Sequence, residues 1–445
     1  MESPKRSEMT NNAFESDIDV AKELLFSLNR DSSLVETYAS TGQWRGQTYK
    51  TSLVPDHASF AELDLYPEIV GAINRMGYDR PSRIQNLAIP VIINRDDVAV
   101  QSKSGTGKTL AFCCGVAQTV KSGKGPQAVI ITPTRELNVQ VAGVMGEMGS
   151  YLGLTCFLAA KGSAPRGEAT PGCIRNEIIV GSPGSILAHL KNKSFEPSNI
   201  KIVVIDEADA VLDLEGMGSQ TQRILRELKD SHKVFFSATY SPQIKGLIQS
   251  LITPKRELKM IYEEKNAKPD EIKLYYIELE KSKKIETLIN LYGYLSIGQS
   301  IIFVGTRIGA DNLRKRLELD KYTVSSIHGE MDVKEREKVV DDFRNARTKI
   351  LISTDIFSRG MDIPQVNLIV NFDLPIFKGN ASTETYIHRI GRSGRFGRDG
   401  FVIDFVTNAE ELAALIKFHS ELKSVSKKFT MEAIEKAFDE SLNGI

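Results

Sequence analysis

Three carboxylates, Asp206, Glu207 and Asp209, follow directly on the run Ile202 to Ile205. Such a run reads as a strand buried on both faces. Like charges at its mouth repel and are costly to desolvate unless something positive faces them. The stretch "QSKSGTGKT", Gln101 to Thr109, offers that partner. It follows the apolar run "DDVAVQS" and precedes a helical pattern, the setting a phosphate-binding loop requires. Gly105 and Gly107 let backbone N–H groups close around phosphate oxygens, with Ser102, Lys103, Ser104 and Thr106 completing the loop and a helix N-terminus adding partial positive charge. Lys108 then reaches the β and γ phosphates, and the Thr109 hydroxyl ligates Mg²⁺. One departure is Ser102, where the strict pattern asks for glycine. In this arrangement Asp206 holds Mg²⁺ through water, and Glu207 orients and deprotonates the attacking water. The plainer alternative, an exposed acidic turn, leaves the loop unexplained.

Two further groups bear on a nucleotide. The Gln85 amide in "GYDRPSRIQ" matches the N6 and N7 edge of adenine, and Phe60, 17 residues before Gly77 (77 − 60), is placed to stack on the same ring. In "YIHRIGRSGRFGR", Tyr386 to Arg398, Arg389, Arg392 and Arg395 recur every third residue and are able to point one way. A basic stripe is usually a solvated or phosphate-binding face, but arginine fingers raise phosphoryl-transfer rates by roughly 10³ to 10⁵.

The elements that must position these residues are visible as a pattern. From about Phe60, short apolar runs alternate with helical ones: "DDVAVQS", "QAVIITPT", "NEIIVGSP", "KIVVIDEAD", "KVFFSAT". Alternation of this kind implies right-handed βαβ units and a parallel sheet with helices on both faces. It restarts with "IKLYYIEL", "QSIIFVGT", "YTVSSIHG", "TKILISTD", "VNLIVNFD" and "GFVIDFV". The expected organisation is a polar extension over 1–57, a first α/β domain over 58–254, a charged linker over 255–270 and a second α/β domain over 271–445. Within the extension, "SDIDVAKELLFSL" (Ser16 to Leu28) puts Ile18, Ala21, Leu24, Leu25 and Leu28 on one helical face, either a transient helix in a tail or one that docks.

The 445 residues carry 57 basic and 57 acidic side chains, so any nucleic-acid binding must be a local patch. Cys113, Cys114, Cys156 and Cys173 have no metal-ligand or CxxC spacing, which points to buried structural thiols in a reducing compartment. No run approaches the ~18 apolar residues of a membrane span, and the first twelve residues lack the core of a signal peptide. A cytoplasmic or nuclear protein without membrane insertion is expected.

Taken together, "PTREL" (Pro133 to Leu137), "DEAD" (Asp206 to Asp209), "SAT" (Ser237 to Thr239), "HGEM" (His328 to Met331), "STDIFSRGMDIP" (Ser353 to Pro364) and "HRIGRSGR" (His388 to Arg395) resemble, in order, the motifs of the DEAD-box RNA helicases. The resemblance runs from Phe60 to the end. It implies two tandem RecA-like domains and an RNA-stimulated ATPase that hydrolyses ATP to ADP and phosphate. It also implies that Arg392 and Arg395 are arginine fingers, that Asp362 contacts the ribose, and that Asp209, Ser237, Thr239 and His388 couple hydrolysis to domain closure. RNA contacts would fall at Thr134, Arg135, Gly184, Thr306, Arg307, Gly329 and Thr354, on phosphates and 2′-hydroxyls, giving sequence-independent binding selective for RNA. Departures at Ser182, Ser358 and "GS" (Gly162 to Ser163) are small, the last putting one backbone RNA contact in doubt.

Within the family, "LYGYLSIGQSIIFVGTR", "LDLEGMGSQTQRI" and the insert "PIFKGNASTETYIHR" resemble the branch that acts in mRNA export at the nuclear pore. That branch implies a monomer working on single-stranded RNA and mRNA–protein particles at the cytoplasmic face of the pore. Its partners would be a nucleoporin and an inositol-phosphate-dependent activator. Competing readings are an ATP-locked RNA clamp with slow turnover, a helicase of another RNA pathway such as translation initiation, and a DNA translocase.

Overall fold

The computed structural model describes residues 48–50, 59–102, 105–159, 172–213, 216–253, 256, 258–262, 272–295, 297–355, 366–377, 379–393 and 400–436. The expected helix at Ser16 to Leu28 lies outside them. The chain divides into two compact units, the boundary between their α/β cores falling between Lys265 and Asn266.

In the first unit the strands are β1 (Thr48–Lys50), β2 (Asp97–Gln101), β3 (Ala128–Ile131), β4 (Cys156–Ala159), β5 (Ile178–Gly181), β6 (Ile202–Ile205), β7 (His232–Ser237) and β8 (Leu258–Tyr262). They form one sheet of 8 strands in the order β1-β8-β2-β7-β6-β3-β5-β4 with every pair parallel. The helices are α1 (Pro67–Arg75), α2 (Arg83–Ile93), α3 (Lys108–Thr119), α4 (Arg135–Leu152), α5 (Pro183–Lys191), α6 (Ala208–Val211), α7 (Gly218–Glu227) and α8 (Pro242–Leu251). Successive residues of a strand point to opposite faces. Ile202 and Val204 accordingly pack with Ile69, Ile89, Phe112 and Val141 of α1 to α4. Val203 and Ile205 pack with Ile186, Ile224 and Ile248 of α5, α7 and α8. Helices on both faces explain why the strand carries no polar alternation.

The second unit repeats this plan with β9 (Ile272–Glu278), β10 (Gln299–Phe303), β11 (Val324–Ile327), β12 (Ile350–Ser353), β13 (Val366–Asn371), β16 (Gly400–Val406) and β17 (Lys427–Lys428), ordered β11-β12-β10-β13-β16-β9-β17 and all parallel. Its helices are α9 (Lys284–Tyr294), α10 (Arg307–Leu319), α11 (Val333–Arg344), α12 (Thr383–Ile390) and α13 (Ala409–Leu422). Ile302, Ile352 and Val370 face one core while Ile301, Leu351 and Ile369 face the other. The insert before α12 forms a hairpin of β14 (Ile376–Phe377) and β15 (Asn380–Ala381), turning at Gly379 with φ +77°.

Two expected boundaries shift. The segment expected as a linker over 255–270 contains β8, which lies between β1 and β2 in the sheet, so the first domain runs past residue 254. Leu258, Met260 and Ile261 are buried there, and Lys259 pairs with Asp96 at 2.6 Å, so a charged exterior conceals an apolar interior. The extension over 1–57 likewise contributes β1, paired to β8. Cys113 and Cys114 are buried on α3, and Cys156 and Cys173 are half-buried. All four thiols are free. Burial pushes the Cys156 thiol up to about 12 and raises those of Cys113 and Cys114 well above the ordinary thiol range, so thiolate chemistry is suppressed.

Candidate active site

The loop after β2 is held in shape by glycines. Gly105 and Gly107 have φ of +83° and +92°, the left-handed region that side chains disfavour. A Cβ on Gly107 would also lie 2.4 Å from Gln85 Nε2. Lys108 opens α3 and donates through Nζ to the Ser102 carbonyl at 2.8 Å, which brings its charge back across the loop. Ser102 Oγ and Thr106 Oγ1 are 2.6 Å apart, and the Ser102 N–H donates to the Ser237 carbonyl at 3.0 Å. Lys103 and Ser104 lie outside the described residues.

A connection from α2 to this loop was not evident in the sequence. Ser82 and Gln85 form a reciprocal capping box at the start of α2. Ser82 Oγ also donates to the Thr106 carbonyl at 2.7 Å, and Gln85 Nε2 donates to the Gly107 carbonyl at 3.1 Å, while its Oε1 accepts the Ser82 N–H at 2.7 Å. The Gln85 amide therefore braces the phosphate loop in this structure, with one backbone bond at each end and a second N–H still to donate. The S-x-x-Q spacing was the available clue. Phe60 departs from expectation. It is 1 % exposed among Ile69, Ile89 and Phe112, so its ring has no free face for a base. An aromatic in a half-turn before an amphipathic helix is equally a core anchor, and burial decided it.

The acidic cluster sits at the mouth of β6, with Asp206 at 4 % and Glu207 at 3 % exposure. The Asp206 N–H donates to the Ile131 carbonyl at 2.9 Å, and its Oδ1 accepts the Glu207 N–H at 2.9 Å. Burial, and next the Glu207 charge, hold the Asp206 carboxyl well above the usual carboxylate range, while Lys108 pulls it down. Buried carboxylates opposed by a lysine, with the Thr109 hydroxyl in the first turn of α3, form an oxygen-donor set that suits a hard divalent cation. Glu207 takes φ +50° at the entry to α6, so its side chain is set by a strained backbone. Asp209 Oδ2 accepts the Thr239 hydroxyl at 2.8 Å, and Ser237 Oγ accepts the N–H groups of Asp209 (3.4 Å) and Thr239 (3.3 Å). Three of the four residues expected to couple hydrolysis to closure are thus joined within the first unit. The fourth, His388, is buried on α12 of the second.

The candidate RNA contacts fall at strand ends. Thr134 caps α4 by accepting the Leu137 N–H at 3.3 Å, and Arg135 opens that helix; Gly184 lies in the first turn of α5. These follow β3 and β5, which are neighbours. Thr306 caps α10 by accepting the Gly309 N–H at 3.0 Å, and Arg307 opens it, half-exposed and ion-paired with Glu330. Gly329 follows β11 and Thr354 follows β12, so this row spans β11, β12 and β10, three adjacent strands. Ligands of open α/β sheets bind outside the carboxyl ends of strands, and helix N-termini offer N–H groups to phosphates. Each unit therefore presents a row suited to a phosphate backbone.

The arginine stripe divides. Helix α12 ends at Ile390, so the three arginines do not share one helical face. Arg389 is 1 % exposed and turns inward, its Nε donating to Asp355 at 2.7 Å. Arg392 lies past the helix end, with Nε donating to the His388 carbonyl at 3.0 Å. Arg395 and Asp362 lie outside the described residues, as do Gly162, Ser163 and Ser358. Among the described residues, no helix is long and apolar enough to cross a membrane.

Two parallel sheets, a lysine-bearing phosphate loop and a buried Asp-Glu pair define an ATP-hydrolysing motor of the helicase kind, and sequence comparison makes the class specific. The DEAD/DEAH box helicase family matches residues 82–247, and the helicase conserved C-terminal domain matches residues 283–397. This chain belongs to the DEAD-box family of ATP-dependent RNA helicases. It is 38% identical over 379 residues to ATP-dependent RNA helicase DBP5 of Lodderomyces elongisporus, covering 84% of this chain and 73% of that one. The Saccharomyces cerevisiae DBP5 is 38% identical over 374 residues, 82% of this chain and 76% of its own. S. cerevisiae Dbp5 bound to RNA and ADP BeF3 superposes with a TM-score of 0.79 at 35% identity, covering 87% of this chain and 99% of that one. A point variant of S. cerevisiae Dbp5 bound to Nup159, a point variant of Gle1, IP6 and ADP gives 0.59 at 35% identity, covering 85% of this chain and 100% of that one.

Proposed function

We propose that this helicase separates short RNA duplexes or displaces RNA-bound proteins during export of mRNA, at the cytoplasmic face of the nuclear pore. The observation that carries the chemistry is the burial of Asp206 and Glu207 at a strand mouth that shares its sheet with the Lys108 loop. Buried like charges persist where a cation and a phosphate chain relieve them. Lys108 neutralises the β and γ phosphates, and Glu207, aimed by its left-handed backbone, orients the attacking water and accepts its proton. Thr109 and Asp206 would hold Mg²⁺, which when bound neutralises charge on the phosphate oxygens. Arg392 and Arg395 serve the γ phosphate from the second unit, Asp362 the ribose.

RNA lies along the two rows of strand ends, bound through phosphates and 2′-hydroxyls. ATP and RNA bind cooperatively, because each offsets part of the ordering cost that the other needs. A strand bent to follow such a composite path leaves the A-form duplex, and loss of the γ phosphate releases it. The named partners of the S. cerevisiae relative, Nup159 and Gle1 with IP6, support a nucleoporin and an inositol-phosphate-dependent activator here.

Steady-state ATPase activity with single-stranded RNA, and with matched DNA as control, tests this reading. Stimulation by RNA alone is expected. Equal stimulation by DNA would point to a translocase, and retention of labelled RNA through many hydrolysis times would point to a clamp.

A further inference from the structure

Arg389 has no part in the phosphate chemistry above, yet its guanidinium is held from several sides. Its Nε donates to Asp355 Oδ1 at 2.7 Å, and its Nη1 donates to Asn371 Oδ1 at 3.1 Å and to the Asp373 carbonyl at 2.7 Å. The guanidinium lies 4.9 Å from the centre of the Phe303 ring, an aromatic floor that favours a planar cation. The partners come from the carboxyl ends of three neighbouring strands, β10, β12 and β13. Phe303 pairs with Ser353 and with Asn371, and Asn371 pairs in turn with Asp404 of β16. Asn371 Nδ2 donates to Asp404 Oδ1 at 2.7 Å, whose Oδ2 accepts the Tyr386 hydroxyl at 2.7 Å. This fixes the Asn371 amide with its oxygen toward Arg389.

Asp373 extends the network to the surface. Its N–H donates to the Phe303 carbonyl at 3.1 Å, its Oδ1 accepts Lys284 Nζ at 2.8 Å, and its Oδ2 accepts the Gly305 N–H at 2.9 Å. Gly305 immediately precedes Thr306 and Arg307, and Asp355 immediately follows Thr354. One guanidinium and one carboxylate thus tie together the two loops that carry these three RNA-contact candidates. The same guanidinium is anchored on α12, which carries His388 and leads to Arg392.

We infer that Asp373 and Arg389 are positioning residues for RNA, locking the Gly305–Arg307 and Thr354 loops in one register with α12. The inference rests on the proposed RNA contacts, and deepens them. Neither residue touches RNA. Each acts by fixing the backbone that does, as outer partners orient the groups that meet a ligand, and charge-assisted bonds make the lock stiff.

The test is steady-state ATPase as a function of RNA concentration for the full chain, Asp373→Asn and Arg389→Lys, with thermal melting of each. Asp373→Asn is the readable variant, because the aspartate side chain is 39% exposed and the amide keeps its shape. It is expected to raise the half-saturating RNA concentration about tenfold, the scale of one lost charge-assisted bond, with kcat at saturating RNA nearly kept and the melting midpoint lowered by only about 3–6 °C, as Lys284 loses its charged partner. Arg389→Lys should shift half-saturation in the same direction, and the double variant should be no worse than the worse single, since residues acting as a unit are not additive. Unchanged half-saturation in Asp373→Asn, or a loss confined to kcat, would overturn the inference while leaving the helicase reading intact. Absence of RNA stimulation in the unaltered chain would overturn both.

Discussion

Glu207 occupies a backbone conformation that costs a non-glycine residue about 1–3 kcal/mol, and it does so beside a second buried carboxylate. A chain selected for stability alone would relax both. Glu207→Gln is expected to lower ATP turnover by about 10² to 10⁴, while ATP-dependent retention of RNA persists; normal turnover would remove the base from Glu207. The phosphate loop and the acidic pair were legible because their chemistry demands fixed residue types at fixed spacing. Phe60 and Gln85 were not, because spacing does not report burial or the backbone groups a side chain meets. The Gln85 amide holds Gly107 and Ser82, so Gln85→Ala should loosen the loop and raise KM for ATP about tenfold, roughly the worth of one hydrogen bond. An unchanged KM would make that bracing incidental.

At the scale of elements, strands buried on both faces announce themselves as β-branched runs, and β2, β3, β5, β6 and β7 were legible for that reason. Strand β4, "CFLA", is brief and sits at a sheet edge, and β8 is wrapped in "KRELKMIYEE", whose charges imitate a linker. Its neighbourhood also stores a pH response. His232 is buried at the start of β7, and burial, reinforced by Arg256, Arg95 and Lys233, pushes its imidazole down to about 4. The unfolded chain binds that proton near pH 6.5, so stability is complete above that pH and is lost as pH falls toward 4. Asp404, pushed up to about 6 chiefly by burial, acts in the opposite sense, its ionisation costing stability above about pH 4. Denaturant midpoints measured from pH 7 to 4.5 should therefore fall less steeply in His232→Gln than in the unaltered protein. Parallel curves would place the acid sensitivity elsewhere. The same region warns against careless truncation. Deleting residues 1–57 removes β1 and exposes the edge of β8, and should lower the melting midpoint of the first unit.

At the scale of the molecule, one sheet plan occurs twice, and each copy lines its strand ends with residues suited to phosphate. The first carries the phosphate loop, whereas the second contributes arginines and the Asp373–Arg389 lock. The domain repeat was legible from the restarted alternation of runs, but that lock was not. Its members lie in the separate stretches around Lys284, Gly305, Asp355, Asn371, Arg389 and Asp404, and only strand order brings them together. On the proposed function, the two copies make ATP and RNA binding one event. The decisive experiment is the affinity for a short single-stranded RNA with and without a non-hydrolysable ATP analogue. RNA should bind more tightly with the analogue, by about 5- to 150-fold, and the analogue more tightly by the same factor when RNA is present, as linkage demands. Equal RNA affinity in the two conditions would show that the two copies bind independently.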